Sequence, residues 1–128
     1  MWMLLDSSFE ILNVVKWVGW SPPCLGWVKL NYDGCCKGNS SASCGGVIRD
    51  EKGAWLCGFI ENIHTETSLL AEISGLLCGL KLAWDKGFTK VLVEIDSLTT
   101  LDLITNEDIN CHSFYAQIMS CRSYLKRD

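Results

Sequence analysis

The 128-residue sequence lacks the cysteine and histidine spacings typical of a metal finger or a disulfide scaffold. Its eight cysteines are about 6% of the chain, below the share that marks a disulfide-stabilised domain. No two of them are spaced as C-x-x-C, and a zinc site from Cys35, Cys36, Cys44 and His64 is conceivable but lacks the usual ligand spacing. We therefore predict reduced cysteines, several of which serve as small core residues.

Long hydrophobic runs are also absent. The best apolar stretch, 73–84, is interrupted by Lys81 and is shorter than the roughly 18 residues that a membrane span needs. The N-terminal segment carries Asp6 and Glu10 but no Lys or Arg before position 16, so no secretory or transit signal is evident. These absences predict an intracellular protein of the nucleus or cytoplasm, neither secreted nor embedded in a membrane.

Positive charge is scarce. The chain has 15 acidic and 11 basic residues, which gives a formal net charge of −4. A protein that binds nucleic acid mainly through charge has the opposite sign, so electrostatic affinity for nucleic acid should be low. An enzyme that gathers carboxylates around cations is still compatible with this balance.

The first 25 residues show no clean periodicity. They include Pro22-Pro23, a pair that favours extended backbone and ends any preceding helix. We expect residues 1–25 to be a poorly structured lead-in and residues 26–128 to form one domain.

Three strands are predicted in the first half of that domain. Residues 26–33 alternate between apolar and polar side chains, as in a half-buried strand. Residues 35–44 are small and polar, which predicts a loop. The runs 45–49 and 54–60 flank a turn that begins at Asp50, which indicates a β-hairpin.

The period changes at Ser68, where apolar residues begin to recur every three or four positions up to Trp84. This predicts a helix that Thr67 or Ser68 caps and Gly87 ends. Residues 90–95 then alternate again and predict a strand.

Two helices should follow that strand. Asp96-Ser97 opens a short helix through about Thr105, and the last helix has apolar residues at 114, 118, 121 and 125. Three antiparallel strands, a helix, a strand and two helices predict an α/β domain built on a mixed sheet with helices on its faces.

Three carboxylates occupy unusual positions. Asp33 ends the first strand and Asp96 ends the later one, although for each residue taken alone a turn-forming Asp-Gly and a helix N-cap are the simpler explanations. Glu72 lies on the apolar side of the long helix, either as a boundary residue with its carboxylate in water or as a functional group.

The three carboxylates would lie close together if the strands of Asp33 and Asp96 are parallel neighbours. Both Asp residues then emerge at the same sheet edge, and Glu72 near the start of the helix leans over it. Like charges at one point repel unless cations bind between them, and carboxylate oxygens favour Mg²⁺ or Mn²⁺. Such sites commonly support phosphoryl chemistry.

Several spaced motifs carry a resemblance to a known family. They are Gly26-Trp-Val-Lys-Leu-Asn-Tyr-Asp-Gly34, Gly45-Gly-Val-Ile-Arg-Asp50, Ala71-Glu72, Gly79-Leu-Lys-Leu-Ala-Trp84 and Val93-Glu-Ile-Asp-Ser97. In this order they resemble the ribonuclease H superfamily, and especially the plant reverse-transcriptase-like branch associated with retrotransposons. The similarity covers residues 17 to about 125.

The resemblance implies a five-stranded mixed sheet with its third, second, first, fourth and fifth strands in spatial order. It also implies endonucleolytic hydrolysis of the RNA strand of an RNA–DNA hybrid by two Mg²⁺ or Mn²⁺ ions. By matched position, Asp33 would bridge both ions, and Glu72 and Asp96 would bind the ion on the leaving-group side. Glu72 would also lie near the RNA 2′-hydroxyl. Gly34 and Cys35 match a loop whose backbone approaches the substrate.

The sequence departs from the family pattern at its end. The family continues into a fifth strand and a final helix with a fourth metal-binding Asp, and we expect all of these to be missing here. Asp102, Glu107 and Asp108 follow the wrong strand to replace that ligand, and we interpret them as solvated surface residues.

Two other functions therefore stay open beside hybrid cleavage. One is a non-catalytic domain that binds nucleic acid. The other is a protein-interaction module, because a missing fifth strand would leave the edge of 90–95 exposed for self-association.

Overall fold

The computed structural model describes residues 8–13, 22–39, 41–65, 67–105 and 113–125. These residues form five strands and three helices around one mixed sheet, with strand order β1-β5-β2-β3-β4. The elements are β1 (Ser8–Asn13), β2 (Val28–Gly38), β3 (Ser41–Arg49), β4 (Trp55–Ile63), α1 (Ser68–Asp85), β5 (Lys90–Ile95), α2 (Leu98–Thr105) and α3 (Tyr115–Leu125). The predicted mixed α/β fold is confirmed.

Strands β2, β3 and β4 form an antiparallel meander. The turn between β3 and β4 has the predicted chemistry: the Asp50 carboxylate accepts hydrogen bonds from the backbone N–H groups of Lys52 and Ala54, each at 2.9 Å. Gly53, with φ +80°, closes the turn in the left-handed region that a glycine adopts without strain.

The loop predicted at 35–44 is wrong for most of its length. Strand β2 continues to Gly38 and β3 begins at Ser41, and residues such as Cys35 and Ser43 pair across the ladder. Small polar side chains lower strand propensity, but pairing satisfies the backbone N–H and C=O groups of both segments. The prediction failed because cross-strand pairing outweighed local composition.

Helix α1 begins and ends as its sequence predicts. The Thr67 hydroxyl accepts a hydrogen bond from the backbone N–H of Leu70 at 3.3 Å, and Gly87 has φ +78° just beyond the helix end. The apolar face of α1 packs on the sheet and forms most of the core with β2, β5 and α3. The fully buried residues of this core include Leu30, Ile48, Ile73, Leu76, Leu80, Val91, Val93, Ile95, Ile118 and Cys121.

The edge of β5 is not exposed, contrary to the expectation from sequence. Strand β1 lies parallel to β5 and pairs along its whole length, from Ser8 opposite Lys90 to Asn13 opposite Ile95. Part of the segment predicted as a poorly structured lead-in is therefore a strand of the sheet. The paired backbone of β1 satisfies donors and acceptors that an edge strand leaves open, so the proposed self-association through the free edge of 90–95 loses its structural basis.

This arrangement also gives the sheet five strands. The order β4-β3-β2-β5 reproduces the first four positions that the resemblance implies, and β1 lies in the fifth position beside β5. In the part of the chain that the structure describes, no helix is long and apolar enough to cross a membrane.

Candidate functional site

The register between β2 and β5 brings two of the three candidate carboxylates to the same end of the sheet. The strands are parallel, and Asn31 lies opposite Glu94. Asp33 and Asp96 each follow two residues later, so both lie on the same face where β5 ends. Asp33 does not end its strand as predicted, because β2 continues to Gly38. Both are exposed, and the Asp33 Oδ1 atom accepts a hydrogen bond from the Gly34 N–H at 2.9 Å.

Gly34 brings the first turn of α1 to this edge. A Cβ atom at Gly34 would lie 2.4 Å from the Ala71 carbonyl carbon and 2.6 Å from the Glu72 backbone nitrogen. These contacts are shorter than any real Cβ contact, so only glycine permits the approach. The strand that carries Asp33 consequently touches the helix backbone at Glu72.

The Glu72 carboxylate is held by a residue that the sequence analysis did not single out. Thr100 in α2 is fully buried, and its hydroxyl donates a hydrogen bond of 2.8 Å to Glu72 Oε2. A hydrogen bond to a charged group contributes about 1.5–3 kcal/mol. Glu72 itself is half-buried, so part of its carboxylate still faces water.

Tyr32 is a buried phenol near these carboxylates. Burial raises the pKa of the Tyr32 phenol far above its ordinary value, and electrostatic interactions with Glu72, Asp96, Cys121 and Asp33 raise it further. Its hydroxyl oxygen is buried and has no hydrogen-bond partner among the described residues. The phenol therefore stays neutral and lies in the combined field of all three carboxylates.

The donor chemistry of this edge suits a hard divalent cation, because three carboxylates share one end of the sheet and Gly34 leaves no Cβ between β2 and the start of α1. Nevertheless, within the described ranges no three His, Cys, Asp or Glu side chains are grouped as a metal centre. The structure thus places Asp33, Glu72 and Asp96 at one edge without arranging them as a closed ligand set.

A buried ion pair lies behind these carboxylates. The Lys29 ammonium is only 1% exposed and lies 2.9 Å from Glu94 Oε2. Lys29 and Glu94 precede Asp33 and Asp96 by four and two residues on the same strands, so the pair bridges β2 and β5 just below the site. Breaking such a pair by removing one partner costs about 3–5 kcal/mol, and the pair therefore favours one register of β2 against β5.

A cleft lies beside Asp33, against strands β2, β3 and β4. It has a volume of about 330 Å³ and is lined by Asp33, Gly34, Cys35, Ser43, Cys44, Gly45 and Ile60. Gly34 and Cys35, the predicted substrate-contacting residues, both line it. Their contact with a substrate stays a prediction.

Buried thiols near this core make stability depend on alkaline pH. Burial raises the pKa of the Cys121 thiol to about 12, from an ordinary value of 9.0. Above pH 9 the unfolded thiol ionises while the folded one does not, so the free energy of unfolding is fully retained below pH 9 and falls between pH 9 and 12. The expected slope for Cys121 is about 1.4 kcal/mol per pH unit.

Urea unfolding in reductant from pH 7 to pH 11.5 measures this slope. Cys121→Ala lowers stability at every pH but should flatten the alkaline decline, because the buried thiol is gone. A decline of equal steepness in wild type and Cys121→Ala would refute the assignment to this thiol. Cys78, whose pKa burial also raises to about 12, contributes a smaller decline because it is half-exposed.

Comparison with known proteins identifies the family. The sequence pattern of the family described as reverse transcriptase-like matches residues 31–127. This chain belongs to the reverse transcriptase-like family. The matched region includes all three carboxylates and extends from Asn31 within β2 through α3.

One curated relative of this reverse transcriptase-like chain carries a ribonuclease H name. An Arabidopsis thaliana protein named as a ribonuclease H protein is 38% identical over 117 residues, which are 91% of this chain and 19% of that protein. The chain thus spans about a fifth of the length of this curated relative.

Solved structures show the same fold. RNase H1 from Halobacterium salinarum superimposes with a TM-score of 0.67 at 26% identity, covering 77% of this chain and 76% of that one. The N-terminal RNase H domain of a Mycobacterium tuberculosis protein has a TM-score of 0.68 at 23% identity, covering 77% and 73% of the two chains. The chain therefore contains an RNase H-like domain.

Proposed function

We propose that this chain is a hybrid-directed ribonuclease domain that hydrolyses the RNA strand of an RNA–DNA hybrid. The observation that carries the proposal is twofold. Asp33 and Asp96 follow the paired residues Asn31 and Glu94 on parallel strands, and Gly34 lets the backbone of Glu72 approach β2. Membership of the reverse transcriptase-like family and similarity to ribonucleases H support it.

In this proposal Asp33, Glu72 and Asp96 hold Mg²⁺ or Mn²⁺. Bound divalent ions activate a water nucleophile and neutralise charge on the phosphate. Asp33 and Asp96 are exposed and can meet a phosphate that approaches from solvent, whereas Glu72 is anchored by Thr100. Gly34 and Cys35 in the neighbouring cleft contact the substrate backbone, and Glu72 lies near the 2′-hydroxyl that distinguishes RNA from DNA.

One structural neighbour motivates the hybrid as the proposed substrate, and the net charge bears on how tightly it would bind. A structural neighbour with a TM-score of 0.64 was solved as an RNase H1 in complex with an RNA/DNA hybrid, and at 22% identity this neighbour supports the fold. The chain's net charge of −4 argues against tight binding through charge alone, so selectivity must come from the site. We expect weak, salt-sensitive binding with cation-dependent turnover.

The test is cleavage of a hybrid whose RNA strand is end-labelled, with a DNA duplex of the same sequence as control. We expect RNA-strand cutting in millimolar Mn²⁺ or Mg²⁺, none in EDTA and none of the DNA duplex. Hybrid binding without cleavage at any cation concentration would instead assign the non-catalytic binding function. Absence of both binding and cleavage at low salt would reject the nucleic-acid role.

A further inference from the structure

The first turn of α2 connects two of the three candidate carboxylates. Ser97 follows Asp96 directly, and its hydroxyl accepts a hydrogen bond of 3.2 Å from the Thr100 backbone N–H. The Ser97 carbonyl accepts a second one of 2.9 Å from the Leu101 N–H. Ser97 therefore caps α2 and fixes the Thr100 backbone relative to the end of β5.

Thr100 then extends this connection to α1. Its hydroxyl donates to Glu72 Oε2 at 2.8 Å, and its residue exposure is 0%. Two hydrogen bonds therefore connect the residue after Asp96 to the Glu72 carboxylate. The Ser97 hydroxyl accepts the Thr100 N–H, and the Thr100 hydroxyl donates to Glu72. The spatial relation between Asp96 and Glu72 depends on both.

A threonine is an unexpected residue at a fully buried helix position. Valine has nearly the same shape and would bury no hydroxyl, so the threonine must gain from its hydrogen bond. A carboxylate has about four acceptor sites on two oxygens. The Thr100 bond uses one site on Oε2, which leaves Oε1 and the remaining sites available to a cation.

We propose that Thr100 is a positioning residue, which locks the Glu72 carboxylate in one orientation and thereby prepares it to bind a divalent cation. The inference rests on the proposed function, because it assumes that Glu72 is a metal ligand. Without the hydroxyl, Glu72 must be ordered by the cation itself, and the entropy of that ordering lowers cation affinity. Thr100 touches neither cation nor substrate.

The deciding variants are Thr100→Val, which removes the donor but keeps the shape, and Thr100→Ser, which restores the donor. Thr105→Val is the matched control, since it removes a hydroxyl from the same helix that donates to the Leu101 carbonyl at 2.8 Å, away from Glu72. Mn²⁺ affinity is measured by isothermal titration without nucleic acid. Thermal unfolding in EDTA reports stability separately.

We expect Thr100→Val to weaken Mn²⁺ binding about tenfold, equivalent to about 1.4 kcal/mol. Thr100→Ser should return affinity to within about threefold of wild type, and Thr105→Val should leave it unchanged. In the cleavage assay, Thr100→Val should raise the half-saturating Mn²⁺ concentration by a similar factor and leave kcat at saturating Mn²⁺ within about twofold.

Wild-type Mn²⁺ affinity in Thr100→Val, with or without lower thermal stability, would overturn the positioning role while the proposed function stands. If Thr100→Val does not fold, Ser97→Ala replaces it: this variant loosens Thr100 through its cap, and unchanged Mn²⁺ affinity there would equally reject the proposal. A wild-type chain that binds no Mn²⁺ would overturn the proposed metal site as well.

Discussion

Asp33→Asn should abolish hybrid cleavage while leaving the protein folded. The substitution removes one of the carboxylates that would hold the cations, and loss of several kcal/mol of transition-state stabilisation lowers the rate by at least about 100-fold. Stability should change by no more than about 0.5 kcal/mol, because Asp33 is exposed. Asparagine also retains an oxygen that can accept the Gly34 N–H, as Asp33 Oδ1 does now at 2.9 Å.

Asp102→Asn is the matched control for this experiment. Asp102 is an exposed carboxylate on α2, and its substitution changes net charge by the same amount. Cleavage rates are measured at saturating Mn²⁺, with circular dichroism melts on the same samples. Equal activity of Asp33→Asn and Asp102→Asn would show that Asp33 is not part of the reaction and would refute the proposed site.

Gly34→Ala should destabilise the fold more than any other single methyl addition at the site. The new Cβ would lie 2.4–2.6 Å from backbone atoms of Ala71 and Glu72, which cannot rotate away as a side chain can. Either β2 or α1 must shift, at an expected cost of at least about 3 kcal/mol. For a domain of this size, the melting temperature should fall by about 10 °C or more.

Gly45→Ala provides the comparison on the neighbouring strand. Its Cβ would meet the Phe59 carbonyl oxygen at 3.2 Å, a contact that needs a shift of only a few tenths of an ångström. We expect a loss of about 1 kcal/mol there, and a clearly larger loss in Gly34→Ala by urea unfolding. Comparable stability of the two variants would mean that β2 and α1 are not in the tight contact described.

Much of the architecture could be predicted from local patterns. The alternation in β5, the three-to-four spacing in α1 and the turn at Asp50 each arise from residues close in sequence, and all three predictions are confirmed. The position of Asp96 directly after β5 was predicted as well, whereas Asp33, which was predicted to end its strand, lies within β2. Their meeting at one edge was predicted conditionally on parallel strands, and the register of Asn31 opposite Glu94 meets that condition.

Two other features were missed because their local signals were weak. Lys29 falls on the polar side of an alternating strand, so sequence reasoning left it unassigned, yet it is buried against Glu94. Thr100 lies one helical turn before buried Ile104, and this polar residue on an apolar face was the signal that could have revealed the contact with Glu72. The burial of Lys29 depends on Glu94 and that of Thr100 on Glu72, and both partners are distant in sequence.

The sequence alone determined helix α1 with its cap at Thr67, strand β5 and the turn at Asp50, and it singled out Asp33, Glu72 and Asp96. Propensity, periodicity and turn chemistry act over a few residues, and they specify these features directly. Only the tertiary structure decided that β1 covers β5, that the small polar segment after Asp33 pairs as strand, and that Thr100 holds Glu72. These features depend on backbone pairing and burial between distant segments, whose free energy exists only once the sheet and helices have packed.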